Sequence, residues 1–212
     1  MEVIILIIFV NVKFFKQKIF LSILIYKFVK FNIIIYEKYF DKGDNVKKEL
    51  KQKVIQWSKD RGIIDNGKPL TQFAKLMSEF SEIFEAKRLK DNDKLVDAIG
   101  DVQVVLINLS EMLGGIEFEK SNEFYDLDLL TETICNIGDM IIKEDTKSAL
   151  DLIKKSYIYL VGYSRYLGID SDYALEVAYN EIKDRKGFLT PEGNFVKETD
   201  PRYKDIIKKY KG

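Results

Sequence analysis

The chain has 212 residues, of which 46% are hydrophobic and 32% are charged, a composition typical of a globular protein with a core. The 34 Lys and Arg residues balance the 34 Asp and Glu residues, so there is no basic excess of the kind that favours nucleic acid as a partner. Histidine is absent and Cys135 is the single cysteine, which excludes histidine bases, histidine metal sites, thiolate zinc sites and internal disulfides. Any catalysis must therefore use carboxylates, amines, hydroxyls or a hard metal ion bound by oxygen.

Residues 1–40 differ in composition from the rest of the chain, since Ile, Phe, Val, Leu, Lys, Asn and Tyr dominate them. The apolar run from Ile4 to Val10 is too short to span a bilayer, and lysines interrupt the later apolar runs. The segment is either a basic amphipathic membrane segment or upstream DNA translated from an early start, with Val46 as the native first residue. We therefore predict an extension at 1–45, a globular domain at 46–198 and a charged tail at 199–212.

Apolar residues at helical spacing predict a helix over 46–60, followed by a break at Gly62 and at the turn 66–69. Thr71 is the predicted N-cap of the next helix, and the cluster 91–93 is a loop and cap. Further helices are predicted over 94–113, 127–142 and 147–167, and a last one runs to Arg185 from a cap at Ser171 or Asp172. The tail after Gly187 is extended and rich in turns. The predicted fold is an all-α bundle of about five to six helices.

A weak internal repeat is visible, because residues 94–116 resemble residues 147–169 at a constant offset of 53 residues. Shared amphipathic periodicity explains the match equally well. If the repeat is real, one helix pair keeps its acids and the other has lost most of them: the offset maps Glu79 onto Glu132, Glu82 onto Cys135, Asp97 onto Leu150 and Asp101 onto Lys154. Cys135 lies in an apolar run, and we expect its thiol to be buried and inert.

Two acidic pairs stand out on the second and third helices. Glu79 and Glu82 are three residues apart, and Asp97 and Asp101 are four apart, so each pair lies on one helix face. Like charges at this spacing repel each other and destabilise the helix, and a cation bound between them replaces this repulsion by attraction. Two antiparallel helices would bring both pairs around one Mg²⁺ ion. The alternative is that the acids are solvated, with Lys75 pairing with Glu79.

The third helix is apolar around nearly its whole circumference, which predicts that it is buried. Asp97, Asp101 and Asn108 form a narrow polar line on it. A buried carboxylate without a partner is costly, so Asp101 needs a Lys, an Arg or a metal ion.

Two further groups suit a nucleotide. Asn180, Lys183, Arg185 and Lys186 at the end of the last helix would suit triphosphate oxygens, although such groups also mark ordinary helix ends. Trp57 would stack on a base or belong to the core.

In order and spacing these motifs resemble the MazG-like all-α nucleotide pyrophosphohydrolases, especially short versions from phages and prophages. The family signature is E-x-x-E followed by E-x-x-D, and the matching stretches are Glu79-Phe-Ser-Glu82 and Asp97-Ala-Ile-Gly-Asp101. The segments that begin at Trp57 and at residue 178 also look familial, and the resemblance covers about residues 46–198. The third family acid falls at Ala98, where Asp97 could take its place.

The resemblance implies Mg²⁺-dependent hydrolysis of nucleoside triphosphates to monophosphates and pyrophosphate, with Mn²⁺ as a possible substitute. It implies that Glu79, Glu82, Asp97 and Asp101 hold the metal and that Glu79 or Glu82 orients the attacking water. It assigns substrate binding to four side chains: Asn180, Lys183, Lys186 and Trp57.

By analogy we also expect a cytoplasmic homodimer or larger homo-oligomer that serves nucleotide-pool housekeeping, without nucleic acid as a partner and without membrane contact unless residues 1–40 belong to the native protein. Two alternatives stay open. One is a catalytically inactive helical interaction protein, and the other is a regulator anchored to a membrane through residues 1–40.

Overall fold

A computed structural model of the protein describes residues 48–118 and 125–211. The predicted extension at 1–45 and the predicted start at Val46 lie outside these residues. Within the described ranges, helices dominate and two short strands form the whole β structure, so the prediction of an all-α helical bundle is confirmed. No helix in these ranges combines the length and the apolar character that crossing a membrane requires.

Helix α1 covers residues 48–60 of the described chain. The elements that follow it are α2 (Ile63–Asn66), α3 (Pro69–Leu89), α4 (Asn92–Met112), α5 (Leu127–Ile142), α6 (Thr146–Tyr166), α7 (Ser171–Ile182), β1 (Gly187–Leu189), β2 (Phe195–Lys197) and α8 (Tyr203–Lys211). The predicted helix 127–142 has these same bounds, and the helices predicted over 94–113 and 147–167 match α4 and α6 closely.

Two predicted helix starts are wrong. Helix α3 begins at Pro69 and not at a Thr71 cap, because proline suits the first helical position, where its missing N–H costs nothing. Thr71 lies inside α3, and its hydroxyl donates to the carbonyl of Glu192 at 3.1 Å. Helix α7 is capped by Asp170, whose carboxylate accepts from the backbone N–H of Asp172 at 2.8 Å, and α7 ends at Ile182 before the predicted Arg185.

The C-terminal part contains structure that periodicity did not predict. Strands β1 and β2 form an antiparallel hairpin in which Gly187 pairs with Lys197 and Leu189 pairs with Phe195. Helix α8 occupies most of the region predicted as a charged tail. Both strands are three residues long, which is too short for an alternating pattern to stand out.

Helix α4 is the centre of the bundle and contributes to two apolar clusters. One cluster lies among α3, α4, α5 and α6 and includes Ile99 and Leu106, while the other lies among α1, α4 and α7 and includes Val104 and Ile107. Burial of such side chains contributes roughly 1.5–3 kcal/mol each. The prediction that this helix is buried nearly all round is therefore confirmed.

The prediction that Cys135 is buried is wrong, because Cys135 is exposed on α5. Helix α5 buries Leu130, Ile134 and Ile137, which share one face at helical spacing. Cys135 follows Ile134 by one residue, and the helical turn of about 100° per residue places it on the solvent side.

Candidate functional site

Helices α4 and α7 approach closely at Gly100. A Cβ atom at this position would lie 2.1 Å from the carbonyl oxygen of Ala174 and 2.8 Å from the Cβ of Ala178. Asp97 and Asp101 flank Gly100 on α4, and Glu181 follows Ala178 by three residues on α7. Glycine at position 100 therefore brings an α7 carboxylate next to the two α4 carboxylates.

The hairpin formed by α3 and α4 adds the acids of α3. Glu79 is 4% exposed and forms an ion pair with Lys75. Burial first, and then the negative charges of Glu79, Asp97 and Glu181, together raise the pKa of Asp101 to about 7. The two acidic pairs thus lie near enough to repel each other, as predicted for two antiparallel helices.

The pKa values of two more acids are shifted in the same direction. The pKa of Asp97 is raised by burial and then by the charges of Glu181 and Glu79. The pKa of Glu82, which is exposed on α3, is raised by partial desolvation and then by Glu79. We call Glu79, Glu82, Asp97, Asp101 and Glu181 the acid cluster.

Glu181 is a member of this cluster that sequence reasoning missed. Its neighbours Asn180 and Lys183 were selected as polar groups at a helix end, whereas Glu181 reads as half of an ion pair with Arg185 four residues later. The contact that gives it a place in the cluster is made between α4 and α7. Spacing along one helix carries no signal of such a contact.

The chemistry of the acid cluster fits a hard divalent cation. The pKa values of Asp97 and Asp101 are raised first by burial and then by neighbouring negative charges, and a bound cation would offset both effects. Ala98 lies in the core and has no side-chain oxygen, so at these two positions of α4 only Asp97 offers a carboxylate. Among the described residues, no three Asp, Glu or Cys side chains are arranged to hold an ion. Mg²⁺ is usually held by one or two protein carboxylates together with water and substrate phosphates, so a closed cage is not required.

A cavity of about 410 Å³ borders the acid cluster, and we call it the main cavity. Glu79 and Asp101 lie on its wall, and its size falls in the range of small-molecule sites. The other groups that matter for recognition come from α1, α3, α4, the end of α7 and the hairpin: Trp57, Lys75, Asn108, Arg185, Phe195 and Lys197.

Trp57 belongs both to the core and to the cavity wall. Its side chain is 8% exposed and packs edge-on against Phe195, with 6.1 Å between the ring centroids. The Arg61 guanidinium lies over the indole at 4.5 Å from its centroid. Arg61 therefore covers one face of the ring, and stacking of a base is restricted to the part that borders the cavity.

Asn108 is the third member of the polar line predicted on α4. Its side chain is buried, and its Oδ1 accepts a hydrogen bond of 2.7 Å from the hydroxyl of Ser58 on α1. This bond ties α1 to α4 beside the cavity and fixes the orientation of the amide. Asn108 thus has a structural partner and also lines the main cavity.

The predicted substrate ligands at the end of α7 lie outside the cavity wall. Asn180, Lys183 and Lys186 are exposed, and the Lys183 ammonium donates to Asn180 Oδ1 at 3.0 Å. Arg185, from the same segment, does line the cavity. The assignment of the three exposed side chains to substrate binding stays a prediction.

Comparisons with known proteins find a partial similarity to a phage protein. No family model and no solved structure matches the chain. Over 63 residues the chain is 35% identical to an uncharacterized 18.2 kDa protein from the rep-hol intergenic region of Haemophilus phage HP1. The match covers 30% of this chain and 39% of the phage protein, less than half of either. It associates the chain with phage sequences, and the MazG-like resemblance stays a prediction.

Proposed function

We propose that this protein is a Mg²⁺-dependent nucleoside triphosphate pyrophosphohydrolase that releases a nucleoside monophosphate and pyrophosphate. One observation carries the proposal: Glu79 and Asp101 share a cavity of about 410 Å³ with aromatic and cationic side chains. Such a cavity has carboxylates for a metal, cations for phosphates and an apolar wall for a nucleoside. The resemblance of the two acidic motifs to MazG-like enzymes supports the same reaction.

In this proposal one or two of the acids Glu79, Glu82, Asp97 and Asp101 bind the metal directly and the others contact it through water, with Mn²⁺ able to replace Mg²⁺. When bound, the metal supplies positive charge to the triphosphate oxygens and lowers the pKa of water. Glu82 is the better candidate for accepting a proton from the attacking water, since it is exposed and its pKa is raised. Glu79 is less suited to that role because it forms an ion pair with Lys75.

The cavity cations account for binding of the triphosphate. Arg185, Lys75 and Lys197 lie on the wall, and a guanidinium suits phosphate oxygens because it donates in a planar fork. Arg185 and Lys75 are paired with Glu181 and Glu79, so their charges partly offset the acid cluster before substrate binds. Asn180, Lys183 and Lys186 would extend this surface outside the cavity.

The nucleoside would lie against the wall formed by Trp57 and Phe195. Both rings border the cavity, and the Asn108 amide lies nearby, held by Ser58. An amide whose oxygen already accepts a bond offers its N–H groups to an acceptor on the base.

Nucleotide-pool housekeeping in the cytoplasm by a homodimer or larger homo-oligomer belongs to the same proposal. Large apolar side chains on α3 and α5 are exposed, including Phe84 at 43%, Leu89 at 48% and Ile142 at 69%. Such side chains offer apolar surface to a second copy of the chain. The similarity to a phage protein agrees with a phage or prophage setting.

The test is pyrophosphate release by the full-length protein from a panel of canonical and damaged nucleoside triphosphates, with and without Mg²⁺. Asp101→Asn should lower the rate by more than about 100-fold, exceeding the loss typical of outer-shell partners of a metal. Asp151→Asn is the matched control, because it makes the same change at an exposed position on α6.

The opposite result is equally informative. Absence of release from every nucleotide, by protein that is folded and helical, would refute the enzyme. It would favour the helical interaction protein, in which the acids have a structural use.

A further inference from the structure

Arg61 joins the end of α7 to the end of α1. Its Nε donates to the carbonyl of Arg185 at 2.8 Å and its Nη2 donates to the carbonyl of Lys183 at 3.3 Å, although these residues are 124 and 122 positions away in the chain. Its Nη1 donates to the carbonyl of Trp57 at 3.2 Å, and the guanidinium lies over the indole ring of the same residue. One side chain therefore contacts the main chain of Trp57 and of Arg185, and both of these residues line the main cavity.

The carbonyls that accept these bonds have a physical need for them. The last carbonyls of a helix and those just after it lack intrahelical partners, and the end of the helix carries partial negative charge. Helix α7 ends at Ile182, so the carbonyls of Lys183 and Arg185 fall in this region. A guanidinium satisfies several of them at once because its donors lie in one planar fork.

The same segment carries the Arg185 side chain to the cavity. The Arg185 backbone N–H donates to the Ile182 carbonyl at 2.8 Å, and the Arg185 guanidinium pairs with Glu181. Arg61 restrains the Arg185 main chain from the α1 side. The position of the Arg185 side chain on the cavity wall is thus determined by α7 and by Arg61 together.

We propose that Arg61 is a positioning residue for phosphate binding, which holds the main chain of Lys183 and Arg185 so that the Arg185 guanidinium meets the triphosphate in the main cavity. This rests on the proposed function, which gives Arg185 its phosphate. Lysine at position 61 keeps the charge and loses the fork and the flat face over Trp57, so Arg61→Lys is the informative change.

The experiment is a double-mutant cycle on the full-length protein, with calorimetric titration of inorganic tripolyphosphate in the presence of Mg²⁺. The four proteins are the wild type, Arg61→Lys, Arg185→Gln and the double variant. Arg61→Lys should weaken binding about tenfold in the wild-type background and by less than about twofold once Arg185 is absent, because it acts through Arg185. Arg88→Lys, an exposed change on α3, should bind as the wild type does.

Two results with Arg61→Lys would overturn the inference. One is equal weakening by Arg61→Lys in both backgrounds, which is the behaviour of a residue that supports the fold without acting through Arg185. The other is unchanged tripolyphosphate binding in Arg61→Lys, even if urea unfolding shows a less stable protein. Failure of the wild type to bind tripolyphosphate would also overturn it, since Arg185 would then meet no phosphate.

The outcome is separable from that of the proposed function. A wild type that binds tripolyphosphate and releases no pyrophosphate from any nucleotide would refute the enzyme, while the cycle would still decide the role of Arg61. If Arg61→Lys does not fold, amide hydrogen exchange of the wild type replaces it. Tripolyphosphate should then slow exchange at the Lys183 and Arg185 amides, and unchanged exchange there would count against the inference.

Discussion

The α3–α4 pair and the α5–α6 pair are two helical hairpins that pack against each other in one apolar cluster. The offset of 53 residues maps the last residue of α3, Leu89, onto the last residue of α5, Ile142. The pairs differ in their polar groups, because Glu82, Asp97 and Asp101 correspond to Cys135, Leu150 and Lys154. The second pair packs without these acids, so hairpin packing does not require them.

The first pair has an electrostatic cost that the second avoids. Carboxyl groups with raised pKa values destabilise the folded protein at neutral pH, because their charged form is less favourable in the folded protein than in the unfolded chain. Features that reduce stability in one of two similarly packed hairpins are typical of functional sites. The difference between the pairs is therefore an argument for a ligand at the acid cluster, and four measurements test this difference.

The largest expected effect is the pH dependence contributed by Asp101. Burial and neighbouring negative charges raise the pKa of Asp101 from its ordinary value of 3.8 to about 7 in the folded protein. Protonation of Asp101 therefore stabilises the fold below about pH 4, and this stability is lost as the pH rises through about 7. Asp101→Asn should remove up to about 4 kcal/mol of that dependence, as measured by urea unfolding at about pH 4 and about pH 8 without divalent ions.

Asp151→Asn on the second pair should keep the wild-type pH dependence, because Asp151 is exposed on α6. Glu82 and Asp97 have raised pKa values and remain in the Asp101 variant, so some dependence of the same sign persists. If the free energy of unfolding depends on pH in the same way in the wild type and in Asp101→Asn, the raised pKa of Asp101 is contradicted.

The second effect compares one glycine from each pair. Gly100→Ala should destabilise the protein by about 2–3 kcal/mol, because the added Cβ meets the Ala174 backbone at 2.1 Å and the α4–α7 contact must open. In Gly138→Ala on α5, the added Cβ meets the ring of Phe73 at 2.4 Å, and this half-buried side chain can move away. The free energy of unfolding should stay within about 1 kcal/mol of the wild-type value, because alanine favours the helix more than glycine does. Urea unfolding measures the free energy of unfolding of both variants. An equal decrease in the two would show that the α4–α7 contact tolerates a Cβ atom as well as the Gly138 position does.

The third effect is stabilisation by Mg²⁺. Millimolar Mg²⁺ at about pH 8 should raise the free energy of unfolding by about 1–3 kcal/mol, since a ligand that binds only the folded state stabilises it by RT ln(1 + L/Kd), where L is the free ligand concentration. Thermal unfolding of the wild type and Asp101→Asn, with NaCl at matched ionic strength as the reference, measures the difference. An equal gain in the variant would place the ion away from the acid cluster.

The smallest effect concerns Cys135, the counterpart of Glu82 under the offset. Cys135→Ser should change the free energy of unfolding by less than about 0.5 kcal/mol, because the side chain is exposed. A thiol reagent should label the folded wild type at the rate of an accessible cysteine. If the thiol reacts only after the protein unfolds, this face of α5 is covered in the folded protein.

Much of the candidate site could be predicted because its residues form local patterns. Glu79 and Glu82, like Asp97 and Asp101, are close within one helix, and a short connection between α3 and α4 makes a hairpin the natural arrangement. Cys135 was predicted wrongly from a run of apolar residues, because the helical turn and not the run decides which of them are buried. The bound metal, the substrate and the assembly stay predictions.

The sequence by itself determined the helical class, the bounds of α5 and the burial of α4, because apolar periodicity within a helix is a short-range property. The tertiary structure alone decided that Glu181 joins the acid cluster, through the approach of α4 and α7 at Gly100. It also decided that Arg61 holds the end of α7. These contacts join residues far apart in the chain, and their formation depends on how the helices pack rather than on the spacing within any one of them.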